Sequence, residues 1–136
     1  NGPLDPEQPQ ISKVNWKKFD IETLTQLVDS GHLVLVDVTA DWCITCQVNK
    51  RLVLEDGRIL EMLNGPDVIP LRADWTRPDP EIAEYLASFG RYGIPFNAIY
   101  GPRAKGGVAL PELLSERNVL DGFKQVVPES MTARFE

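Results

Sequence analysis

An α/β fold, with a central mixed sheet flanked by helices, is the architecture this sequence predicts. Residues 32–40, HLVLVDVTA, form a β-branched and nearly continuous apolar run, the pattern of a central strand covered on both faces. Stretches with helical spacing of apolar residues alternate with such runs up to residue 101. Two apolar segments, 95–101 and 108–114, then follow one another with only a turn between them, so the strand directions are mixed.

The first helix is predicted in FDIETLTQLVDSG (19–31). There Asp20 serves as N-cap, Ile21, Leu24, Leu27 and Val28 share a face, and Gly31 is the stop. Strand 32–40 comes next, interrupted by Asp37. CITCQVNKRLVLE (43–55) is compatible with a helix, and DGRILEMLN (56–64) continues it until Gly65-Pro66 ends it. DVIPLRADW (67–75) reads as a second strand in which Pro70 suits an edge or a bulge. The clearest helix is DPEIAEYLASFG (79–90), with Asp79 capping, Pro80 in the first turn, Ile82, Leu86 and Phe89 on one face and Gly90 as exit. A third strand is predicted at 95–101, a turn at 102–107, a fourth strand at 108–114, and a last helix at 116–126 after Ser115.

The 136 residues suit one domain with its own core. The opening ten residues hold three prolines and read as a linker. The expected division is a linker at 1–12, the domain at 13–128 and a tail at 129–136. With neither a basic region nor an apolar signal core at the start, any targeting segment is expected to lie upstream or to have been removed. No run of about 18 apolar residues is present to span a bilayer. The net charge of −6, without a Lys/Arg cluster, argues against nucleic acid as a partner.

The chain has only two cysteines, and ADWCITCQVNK (40–50) contains both. One helical turn apart, Cys43 and Cys46 have Cα atoms about 5 Å apart, inside the window a disulfide requires. Closing so short a ring restricts the unfolded chain little, so a purely stabilising role is a poor explanation. A strand ending at Ala40 and feeding a helix aims free N–H groups at the first sulfur and favours its thiolate. Cys46 lies deeper. Cys43 is therefore the expected nucleophile and Cys46 the thiol that resolves the mixed disulfide. Asp37, below the turn that carries the cysteines, is the expected proton shuttle for that second step. The alternative for Asp37 is an acid satisfied by local hydrogen bonds.

WCITC after VLVDVTAD resembles the active site of thioredoxin-fold oxidoreductases, including the acid six positions before the first cysteine. TADWCITCQVNK followed by LRADWTRPDPEIAEYLASFGRYGIPFNAIYGP is similar to the C-terminal periplasmic domain of the DsbD/ScsB family of transmembrane thiol-disulfide reductant transporters. The resemblance covers residues 20–126. It implies a thioredoxin fold in the periplasm that works without a cofactor beyond the Cys43–Cys46 disulfide. The implied donor is a membrane-embedded domain of the same polypeptide, the acceptors are periplasmic thioredoxin-fold proteins with disulfides, and the excised domain is a monomer. It also implies a cis Pro95 facing the cysteines, with the Ile94 backbone pairing with an extended segment of the partner. Trp42, Ile44, Thr45, Trp75 and Tyr92 complete the expected partner-binding set.

The sequence departs from the family in two places. Lys50 stands where members often carry an acid, four residues after the second cysteine. Ile44-Thr45 lacks the histidine of some strongly oxidising relatives, so a reductant is expected. A structural zinc site needs four ligands, and only His32 offers a typical third, so it is expected instead to be a solvated residue at a strand start. Cu(I) held by the two thiolates is the competing reading, a metal-binding or copper-tolerance module. Trp16 is expected to be a packing anchor. Asp74, Asp79, Glu81 and Glu84 are expected on a solvated strand end and helix face.

Overall fold

A computed structural model describes residues 13–136; the expected linker at 1–12 lies outside them. Five strands form one sheet in the order β1-β3-β2-β4-β5. They are β1 (Lys17–Lys18), β2 (Leu33–Thr39), β3 (Val68–Asp74), β4 (Phe96–Gly101) and β5 (Ala104–Ala109). β1 and β2 run parallel to β3, while β4 is antiparallel to β2 and to β5. The helices are α1 (Ile21–Asp29), α2 (Ile44–Asn49), α3 (Gly57–Asn64), α4 (Pro80–Ser88) and α5 (Glu116–Val126). The predicted mixed α/β sheet is therefore present, with β2 central and only Thr39 in it less than fully buried.

Alternation along β2 divides the core. Val34, Val36 and Val38 pack with Leu24 and Val28 of α1 and with Ile82, Tyr85 and Leu86 of α4. Leu33 and Leu35 face the other side, against Ile59 and Leu63 of α3 and Val119, Leu120, Phe123 and Val126 of α5. The predicted caps form. Asp20 and Asp79 accept N–H bonds in the first turns of α1 and α4, and Ser115 and Asn118 make a reciprocal capping box on α5.

Three elements differ from the sequence reading. The helix expected over 43–64 is broken: α2 passes into a π-helical stretch, Lys50–Leu54, and α3 starts afresh after Asp56. Val53 and Leu54 are buried by that wider turn, so the apolar pattern runs through the break and hides it. The fourth strand begins at Ala104, within the expected turn 102–107, and ends at Ala109, because pairing with β4 sets its register. β1 is too short to show a period. Pro70 lies in β3 outside the two-residue ladder with β1, so that flank is an edge there, as a proline needs.

The expected tail is built into the domain. Glu129–Phe135 forms a 3₁₀ helix. Phe135 is buried and stacks on Phe123 with ring centres 5.1 Å apart, and Arg58 donates to the carbonyls of Arg134 and Glu136. Phe135→Ala is expected to cost about 3 kcal/mol of stability, read as a lower midpoint in urea unfolding.

Candidate active site

The site is the loop between β2 and α2. Cys43 is the N-cap of α2, with extended backbone, and Cys46 lies in its first turn. They form a disulfide with Cα atoms 5.2 Å apart. Both are buried, at 7% and 4% exposure, so the expected contrast in depth is small. What distinguishes the sulfurs is a hydrogen bond: Cys46 N–H donates to Cys43 Sγ at 3.2 Å. A donor aimed at that sulfur stabilises negative charge there once the pair is reduced.

Around this buried pair the surface is apolar and open. Ile44 is 81% exposed and Trp42 60%, and Thr45 is exposed between the cysteines. Ile94 packs against Ala40, Cys43 and Cys46. The Ile94–Pro95 peptide bond is cis, and Pro95 is buried. Trp42, Trp75, Tyr92 and Ile94 line one groove of about 550 Å³ with Thr76, Pro78 and Gly93. Since Ile94 touches both, the groove adjoins the disulfide. Ile44 and Thr45 are not among its lining residues. Thr76 fixes its wall: its carbonyl accepts from the Trp42 indole N–H at 3.2 Å, and its hydroxyl from Asp41 N–H at 2.9 Å.

Asp37 occupies the middle of the sheet. By the alternation of β2 it points to the face covered by α3 and α5. Its register partners are Arg72 on β3 and Asn97 on β4. Asn97 Nδ2 donates to Oδ1 at 2.8 Å, and Arg72 Nε and Nη2 approach Oδ2 at 3.4 and 3.3 Å. Trp16 covers the outer end of this row, with the Arg72 guanidinium 4.3 Å from its ring centre. Asp37 is thus both buried, as a shuttle requires, and hydrogen-bonded, as the alternative supposed. Burial pushes its carboxyl above the ordinary range; the Arg72 charge, the Asn97 and Arg72 hydrogen bonds and the Lys50 charge oppose that rise.

The remaining expected residues have structural work. Asp74 accepts from Thr76 N–H, Asp79 caps α4, and Glu81 accepts from Ile21 N–H at 2.8 Å. His32 and Glu84 are exposed. Among the described residues no group of three or more His, Cys, Asp or Glu is placed to hold a metal ion. No helix among them is long and apolar enough to cross a membrane.

A family model described as Thioredoxin-like matches residues 15–102. The chain belongs to the thioredoxin-like family. Within it, the chain is 32% identical over 74 residues to the thiol:disulfide interchange protein DsbD of Ralstonia nicotianae, an overlap of 54% of this chain and 12% of that protein. It is 25% identical over 111 residues to DsbD of Haemophilus influenzae, covering 74% of this chain and 19% of the relative. The chain therefore spans less than a fifth of the length of these curated relatives. Among solved structures, the oxidised C-terminal domain of Neisseria meningitidis DsbD has a TM-score of 0.52 at 21% identity, over 69% of this chain and 78% of that one. Chloroplastic thioredoxin z has a TM-score of 0.57 at 21% identity, over 83% and 93%. These likenesses give the thioredoxin fold. A disulfide of this spacing at the head of α2 in a thioredoxin-like domain is the equipment of a thiol-disulfide oxidoreductase.

The sequence reading missed Arg72, Asn97, Thr76 and Asn49. Arg72 and Asn97 were visible as polar interruptions of two apolar strands; only strand register shows that both meet Asp37. Asn49 is buried, donates to the Glu112 carbonyl at 2.8 Å and accepts from Leu114 N–H at 3.0 Å, tying loop 112–114 to the cysteine helix.

Asp37 also makes stability depend on pH. A carboxyl whose folded value is raised binds its proton more tightly in the native state. It therefore adds stability that is complete below the unfolded value, about 3.9, and is lost as pH rises through the folded one. Asp37→Asn removes that dependence. Its stability relative to the wild-type chain is expected to improve as pH rises above about 4, in urea unfolding measured across pH.

Proposed function

We propose that this domain is a disulfide reductant of the periplasm. It takes electrons from a membrane-embedded domain of the same polypeptide and passes them to periplasmic disulfide proteins of thioredoxin fold. One arrangement carries the reading: the Cys43–Cys46 disulfide at the head of α2, packed against Ile94 beside an open aromatic groove. The similarity to DsbD proteins supports the choice of donor and compartment.

In the reduced domain the Cys43 thiolate attacks the partner's disulfide and forms a mixed disulfide. Cys46 then attacks Cys43 Sγ, the partner leaves as a dithiol, and the internal disulfide closes. Asp37 accepts the Cys46 proton in that second step. The partner's extended segment pairs with the Ile94 backbone at Pro95, and its apolar side chains enter the groove of Trp42, Trp75 and Tyr92. Ile44 and Thr45 contact it across the top of the pair. The couple itself carries the electrons, so no further cofactor takes part.

Cys43→Ser is expected to abolish reduction of insulin disulfides, whereas Cys46→Ser accumulates a mixed disulfide visible on a non-reducing gel. Redox titration against glutathione is expected to give a potential between roughly −270 and −180 mV. Stoichiometric Cu(I) binding with no thiol-disulfide exchange would overturn the proposal in favour of a metal-binding module.

A further inference from the structure

β4 carries an anomaly. Its alternation places Phe96, Ala98 and Tyr100 in the core beside α1 and α4, and Ile99 in the core beside α3 and α5. Asn97 shares the second face, where the pattern calls for another apolar side chain, and it is only 1% exposed. A carboxamide so buried costs stability unless its hydrogen bonds are made, and a leucine there would suit the core better. Asn97 Nδ2 donates to Asp37 Oδ1 at 2.8 Å and, at a longer 3.4 Å, to the Val36 carbonyl.

The opposite oxygen of Asp37 faces Arg72 at 3.3 and 3.4 Å. The carboxyl is therefore gripped from both neighbouring strands at one register, each oxygen by a different donor. Because both oxygens only accept, this is the hydrogen-bond pattern of an ionised carboxylate. Lys50, one turn after Cys46 on the same side of the helix, acts on Asp37 as a second positive charge. Arg72 from β3 and Lys50 at the start of the π-helical stretch after α2 are the charged groups that act on it; α3 and α5 present apolar side chains to this face of the sheet.

We propose that Asn97 is a positioning residue which, against the pull of Arg72, holds the Asp37 carboxylate ionised and aimed for proton exchange with Cys46. This rests on the reductant reading above and adds to it the group that sets the resolving step. In that step the Cys46 proton passes to Asp37 and a bond forms between Cys46 Sγ and Cys43 Sγ. The bond from Cys43 Sγ to the partner's sulfur breaks, and the partner's thiolate takes a proton. Two electrons leave the Cys43–Cys46 pair and reduce the partner.

Ellman's reagent separates the two steps. Cys43 of the reduced domain releases one thionitrobenzoate as it forms the mixed disulfide, and Cys46 releases the second as it resolves it. The first release serves as internal reference. For Asn97→Leu, the inflection in the pH profile of the second release is expected to move alkaline by about one unit, with the rate on the acid limb of the profile about tenfold lower. Arg72→Met is expected to shift it the same way, and Arg72→Lys to restore it. Asn97→Leu combined with Asp37→Asn is expected to be no slower than Asp37→Asn alone, because Asn97 acts through that carboxyl. If Asp37→Asn slows the second release while Asn97→Leu leaves the profile in place, the role given to Asn97 is wrong and the reductant reading stands. If the first release fails in the wild-type domain, or Asp37→Asn leaves the second unchanged, the assigned thiol mechanism fails and this inference with it.

Discussion

The burial of β2 between β3 and β4 is the constraint from which the site follows. A strand with neighbours on both edges and helices on both faces has no freedom of register, since a shift by one residue would exchange its two apolar faces. Its end at Thr39 therefore delivers Ala40, and then the cysteines, to a fixed point above the sheet. The same burial takes Asp37 out of water, and an isolated carboxylate there would be prohibitively costly. Arg72 and Asn97 make it tolerable. The position of the sulfurs and the character of the carboxyl are thus two results of one packing decision.

Much of this was legible in the amino-acid sequence because it depends on local signals. The apolar run at 33–38 carried the pattern of a central strand, and the one acid in it stood out as an interruption. Asp79-Pro80 and Gly90 bracketed α4 by capping chemistry alone. The cysteine spacing fixed the geometry of the disulfide. Other features depend on partners distant in the chain. Lys17 and Lys18 form a strand only because Leu71 and Arg72 lie beside them. Ala104–Ala109 has little intrinsic strand preference and takes its conformation from β4. The break after α2 was invisible because the π turn keeps Val53 and Leu54 pointing inward. The Arg72–Asp37–Asn97 row spans three strands, and a sequence without the sheet order gives no reason to join its members.

The groove and the polar row serve opposite physical ends. The groove exposes aromatic surface to water, a local instability that contact with another protein would relieve. The row removes charge from water and stabilises it with matched donors. The disulfide adjoins the groove through Ile94, and Asp37 lies six residues before Cys43 in the strand that leads to it. Loop 112–114 is pinned to α2 by Asn49.

Trp16 gives this arrangement a reach that its motifs conceal. Its ring rests on the Arg72 guanidinium, so a segment far ahead of the cysteines in the chain forms the lid of the charge system beneath them. An expression clone trimmed to start at Phe19 would retain both cysteines, the acid and the cis proline. It would nevertheless hydrate the guanidinium and weaken its hold on the carboxylate. The redox unit consequently begins earlier than its signature suggests, and kinetic constants from such a shortened clone would describe a different electrostatic environment.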